Sequence, residues 1–70
     1  MELMLDRKLY SREAVDATTE AFSSFATITR VVEDRSAWRL RFDEIDLDFQ
    51  DTLLDEFANY ALGLTEEGRH

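Results

Sequence analysis

Leu9-Tyr10-Ser11-Arg12-Glu13-Ala14-Val15 is the stretch on which the fold turns, because it marks where a strand gives way to a helix. Ser11 is an N-cap residue: its hydroxyl can accept from first-turn amides that have no partner within the helix. Glu13 lies in that first turn, where the helix dipole favours a carboxylate. Tyr10 and Val15 occupy N′ and N4, the two positions of a hydrophobic staple. Downstream, Ala14, Thr18, Ala21, Phe22 and Phe25 recur at helical spacing and predict one buried stripe on a helix over residues 12–25. Upstream, residues 2–7 set Leu3 and Leu5 against Met4, the alternation of a first strand.

Residues 26–33 are rich in β-branched side chains (Thr27, Ile28, Thr29, Val31, Val32) and predict a second strand. Its buried face stays open at this level. Ile28 and Val32 share a parity with Arg30, whereas Val31 shares one with two threonines. Asp34-Arg35-Ser36 reads as a polar turn. Trp38, Leu40 and Phe42 then alternate with Arg39 and Arg41, the pattern of a half-buried strand. Strands joined by so short a turn form an antiparallel hairpin.

Ile45, Leu47 and Phe49 also alternate, but out of phase with the preceding strand, so the chain has to bend, bulge or turn near Asp43-Glu44. Asp46 or Asp48 can cap a second helix that buries Leu53, Leu54, Phe57, Ala58 and Ala61. Gly63 suits the left-handed C′ position, with Leu64 folding back behind it. The expected architecture is α+β: one β-α-β-β-α domain over residues 1–64, followed by a polar C-terminal tail at 65–70. Its three-stranded, mainly antiparallel sheet carries both helices on one face. The other face presents Met4, Arg39, Arg41 and residues of the second strand. An open sheet face or edge invites a partner or a second copy, so a homodimer is one expectation.

Seventy residues, 44% of them apolar and eight aromatic, suffice for one core but not for a roomy pocket beneath it. There is no cysteine, which excludes disulfides, thiolate zinc sites and thiol nucleophiles. The longest apolar run is far short of the roughly 20 residues that span a bilayer. The N-terminal segment carries acids where a signal peptide carries lysines. The expectation is a cytoplasmic protein without a membrane partner.

The net charge of −8 is unevenly spread. Seven acids balance seven bases through residue 42, whereas residues 43–70 hold nine acids against Arg69. The seven acids between Asp43 and Glu56 have no base among them and repel phosphates and anionic membranes. Arg39 and Arg41, which Arg30 could join, are better explained as charge balance within the chain than as a nucleic-acid stripe. No nucleic-acid partner is expected. Trp38, at a strand start, reads as core before it reads as a stacking platform.

Catalytic constellations are hard to assemble from these residues. Nucleophile-and-base chemistry needs a positioned histidine, and the one histidine is His70, the last residue. General acids need a carboxyl in a protected cleft, and Asp43, Glu44, Asp46 and Asp48 read as solvated. Asp43, Asp46, Asp48 and Asp51 offer hard oxygen ligands, but without the glycine and terminal glutamate of a calcium loop. Two late glycines, Gly63 and Gly68, rule out a glycine-rich phosphate loop. No cofactor, metal or catalytic residue is expected.

Two segments resemble a known family. Leu5-Asp6-Arg7-Lys8-Leu9-Tyr10-Ser11-Arg12-Glu13-Ala14-Val15 is similar to the opening of HxsD proteins, small components of the His-Xaa-Ser peptide-modification system. There a strand leads into a Tyr-Ser-x-Glu-Ala helix start, and a final helix opens on a Phe-x-Asn-Glu-Leu-Leu-Asp-like motif. Phe49, Leu53, Leu54 and Asp55 match that motif; Asp51 and Thr52 replace Asn-Glu, and Asn59 stands where an arginine is usual. The resemblance implies an accessory role beside radical SAM enzymes and their peptide substrate, and it carries no catalytic residue.

The leading expectation is therefore a non-catalytic adaptor that binds a protein or peptide. Arg39 and Arg41 on the open sheet face, and Asp51, Asp55 and Asn59 on the acidic helix, are its candidate contacts. A second reading is a dimerisation subunit of a larger complex, since the element order also resembles the small subunit of the KEOPS tRNA-modification assembly. A third is an acidic mimic of DNA, which needs carboxylates spaced like phosphates over a long surface.

Overall fold

A computed structural model describes residues 1–31 and 35–68. The order is β1 (Glu2–Asp6), α1 (Arg12–Ala21), β2 (Thr27–Val31), β3 (Ala37–Asp43), a 3-10 turn (Leu47–Phe49) and α2 (Leu53–Glu67). The strands form one antiparallel sheet in the order β1-β3-β2. The hairpin partner β3 thus inserts between β1 and β2. Cross-strand pairs fix the faces: Leu3 lies against Leu40, Leu5 against Trp38, and Ile28 against Phe42. Ile28 decides the open question in β2, since it shares the apolar face with Phe42. Val32 and the Asp34 part of the expected turn lie outside the described residues.

Both helices cover that apolar face. Leu5, Val15, Ala26, Leu40, Phe42, Leu53 and Phe57 form the core, with Leu3, Tyr10, Phe22, Phe25, Ile28, Trp38 and Phe49 packed around it. Phe57 is fully buried and meets Phe22 and Phe42 edge-on, at centroid distances of 5.4 and 5.3 Å. Such ring pairs add to the area term of the hydrophobic effect.

The start of α1 follows the capping pattern. Ser11 Oγ accepts from the Ala14 amide at 3.2 Å, and half-buried Tyr10 packs against the core that contains Val15. The end differs from expectation. The helix stops at Ala21, and residues 22–25 continue as turns, with the Phe25 amide bonded to Phe22 O at 3.0 Å. Ala21, expected in the stripe, is exposed, while Phe22 and Phe25, expected beside it, are half-buried. A turn that keeps two phenylalanines on the core side is indistinguishable from helix by spacing alone.

The expected break near Asp43-Glu44 is present as a left-handed residue: Glu44 has φ 52°. Asp46 caps the 3-10 turn, accepting from the Asp48 amide at 3.0 Å, and not α2. The latter begins after Thr52 without a side-chain cap. Its fully buried positions, Leu53, Phe57, Ala61 and Thr65, are spaced four apart, while Leu54 and Ala58 are half-buried.

Gly63 does not end the helix. It sits inside α2, which runs on to Glu67 and closes at Gly68. The polar tail expected from residue 65 is, through Glu67, the last turn of this helix. The cause is Thr65, which is 2% exposed and bonded to the first turn of α1. Among the described residues, no helix is long and apolar enough to cross a membrane.

Candidate partner-binding surface

The antiparallel ladder places the candidate arginines. On β3, Trp38, Leu40 and Phe42 turn toward the helices, so Arg39 and Arg41 stand on the open face, beside Met4 and Glu2 of β1 and Thr29 of β2. Neither guanidinium is idle. Arg39 Nε lies 3.9 Å from Glu2 Oε1, and Arg41 Nε lies 3.5 Å from Asp43 Oδ2. Their acids come from the sheet itself and not from the helix layer. Pairs so exposed contribute about 0–1 kcal/mol each, enough to balance charge and little more.

Arg30 does not join them. Its parity is that of Leu40, which sends it to the helix side, where Nη1 meets Asp16 Oδ1 of α1 at 2.7 Å. Its guanidinium also approaches the Trp38 ring at 5.6 Å, and that of Arg7 approaches it at 4.1 Å. The indole Nε1 donates to Tyr10 O at 3.0 Å. Trp38 is thus half-buried, with the chain's own cations on its ring and its polar edge bonded to the backbone.

Asp55 and Asn59, four apart, are exposed on α2, and Asp51 is exposed in the turn before it. The helix layer separates this trio from the open sheet face. The five candidate residues lie on two surfaces, Arg39 and Arg41 on the open sheet face and Asp51, Asp55 and Asn59 on the helix side.

Asp43 pairs with Thr27 at one end of the sheet, and Asp6 with Ala37 at the other. Asp46 follows at the Asp43 end, its amide bonded to Phe25 O at 2.8 Å. At this end too is the Met1 ammonium, 3.4 Å from Phe42 O. Arg7, Arg12 and Arg30 collect at the Asp6 end, the latter two sharing Asp16. Among the described residues, no three side chains of metal-ligating type converge on one point.

A shallow cleft of about 390 Å³ opens between the first turn of α1 and the last of α2. Ala14, Ala17 and Leu64 give it an apolar wall, and Glu13 places one carboxylate at its lip. The Ser11 hydroxyl beside it is committed to the Ala14 amide.

The feature that residue patterns did not locate is the outer edge of β1. In an antiparallel ladder, main-chain groups of alternate residues point toward the neighbouring strand and away from it. Phe42 N donates to Met1 O at 2.7 Å, and Arg7 N donates to Ser36 O at 3.1 Å. Odd-numbered residues of β1 therefore bond to β3, and Glu2 and Met4 direct their N–H and C=O outward. No further strand pairs with this edge among the described residues. Met4 is 54% exposed on the open face of the same strand. The alternation of β1 was legible in sequence, but its place at the rim was not.

Comparison with protein-family models, with curated proteins and with solved structures finds no match to this chain.

Proposed function

We propose that this chain is a non-catalytic accessory protein that works by holding an extended segment of a protein or peptide partner. The observation that carries the proposal is the unpaired edge of β1, where Glu2 and Met4 offer main-chain donors and acceptors at the rim of a three-stranded sheet. An added strand satisfies those groups and gains affinity from main-chain hydrogen bonds, while alternate side chains supply selectivity. Exposed edges are otherwise a liability, which proteins blunt with prolines, bulges, covering loops, short strands or charges such as Glu2 and Asp6 of β1. β1 contains no proline and pairs residue for residue with β3 from Glu2 to Asp6.

The likeness of residues 5–15, and of Phe49, Leu53, Leu54 and Asp55, to HxsD proteins supports peptide maturation by radical SAM enzymes as the setting. In that setting the chain presents a peptide to its modifying enzyme. The test is binding to radical SAM enzymes of the His-Xaa-Ser system and to a His-Xaa-Ser repeat peptide, read by amide shifts of the labelled chain. Association with shifts at Glu2 and Met4 is expected; an absence of binding to every one of them defeats the proposal.

A further inference from the structure

We infer that the segment added to β1 has the pattern basic-x-apolar-x-basic, an inference that rests on the edge reading just given. Glu2, Met4 and Asp6 alternate along β1, so all three side chains share the open face. Two of these residues, Glu2 and Met4, also present both main-chain groups at the free edge. Asp6 presents its N–H there, its carbonyl being taken by the Leu9 and Tyr10 amides at 3.1 and 3.0 Å. Residues that pair directly across a strand boundary lie on the same face, with Cβ atoms roughly 4.5–5.5 Å apart. The partner residues opposite Glu2, Met4 and Asp6 are therefore the ones this edge selects.

Each position has a chemical preference. Met4 is 54% exposed at the rim of the sheet, so an apolar side chain opposite it removes area from water on both sides. Glu2 lies 3.9 Å from Arg39, beyond hydrogen-bond distance, and its carboxylate is half exposed. Asp6 accepts from the Lys8 amide at 2.7 Å through Oδ1, and its second oxygen takes no hydrogen bond from the described residues. Both carboxylates can accept from a cation on the added strand. Residues 1–42 carry no net charge, so attraction over longer range comes from the acids of residues 43–70.

The same three residues speak against a second copy as the occupant. An antiparallel pairing of β1 with itself, centred on Met4, sets Glu2 of each copy against Asp6 of the other. Like charges directly opposite one another are destabilising. The edge thus favours a basic partner over its own duplicate.

The probe is a pair of synthetic peptides with Lys-Val-Leu-Val-Lys or Glu-Val-Leu-Val-Glu at the centre, titrated into the labelled full chain. The lysine peptide is expected to shift the Glu2 and Met4 amides and to slow their hydrogen exchange. The glutamate peptide is expected to bind about fivefold more weakly or worse, from two cross-strand pairs reversed in sign. N-methylation of the leucine removes a bond to β1 and is expected to abolish binding, whereas N-methylation of either valine is tolerated. This modification leaves the protein untouched, so folding does not enter. Equal affinity for the two peptides, with the N-methyl pattern kept, overturns the basic pattern but leaves strand addition standing. Binding of neither peptide, or indifference to the N-methyl position, overturns the edge reading as well. Concentration-dependent shifts at Glu2 and Met4 without any peptide assign the edge to a second copy and overturn the inference.

Discussion

The main-chain amide of Ser11 donates to the hydroxyl of Thr65 at 3.1 Å, joining residues 54 apart in sequence. Thr65 in turn donates to Ala61 O at 2.8 Å. One hydroxyl therefore satisfies an amide at the start of α1 and anchors the last turn of α2. Removing it while keeping the shape leaves the Ser11 amide without a partner in a partly buried setting. Thr65→Val is expected to cost about 1–3 kcal/mol. Thr65→Ser, which retains both bonds, is expected to cost less. Urea unfolding of the two variants checks the order; equal stabilities would remove the bond from the account of the fold.

Gly63 lies within α2 at a position where an added Cβ meets nothing within 4 Å. A glycine inside a helix gives up about 1 kcal/mol relative to alanine. Gly63→Ala is expected to raise stability by roughly that amount, measured by thermal or urea unfolding. Destabilisation would indicate that the chain needs a helix end there after all.

Glu44 carries φ 52°, a conformation that costs a side-chain-bearing residue about 1–2 kcal/mol. Its carboxylate reaches Thr27 Oγ1 only at 3.5 Å, a weak compensation. Glu44→Gly is expected to stabilise by about 0.5–1 kcal/mol, after the extra freedom glycine gains in the unfolded chain is discounted. Glu44→Val, branched at Cβ, is expected to destabilise. Calorimetric midpoints that fail to separate the two would argue against the left-handed turn.

Phe57 is fully buried at the meeting of both helices with β3. Phe57→Ala is expected to cost about 3–5 kcal/mol. A domain this small draws roughly that much from its whole core, so the variant should be largely unfolded at 25 °C. Circular dichroism checks it; a cooperative, native-like melt would show that the core lies elsewhere.

The local features were readable because short-range chemistry produces them. Ser11 caps α1 because its hydroxyl meets an amide three residues on. Glu44 turns left-handed because the apolar phase of Trp38, Leu40 and Phe42 has to change before Phe49 can pack. Element ends were less readable. Phe22 and Phe25 keep helical spacing after α1 has stopped, and Gly63 resembles a helix end that Thr65 carries past. At Gly63 a contact distant in sequence, Ser11 to Thr65, overrides a local preference of about 1 kcal/mol. The placement of the candidate contacts was readable as well: alternation puts Arg39 and Arg41 on the open sheet face, and the stripe of Leu53, Phe57 and Ala61 leaves Asp55 and Asn59 on the outside of α2. Arg30, whose face the alternation left open, proved to belong to Asp16.

By itself the sequence determined the element types, the two-faced character of β3 and the concentration of acid in residues 43–56, since periodicity and charge are properties of neighbours along the chain. Only the tertiary structure decided that β3 lies between β1 and β2, and hence that Glu2 and Met4 turn their main-chain groups to an edge where no strand among the described residues pairs with them. Strand order depends on which apolar faces close over Phe57 and Leu40 together. That is a sum over contacts far apart in sequence, and no local pattern contains it.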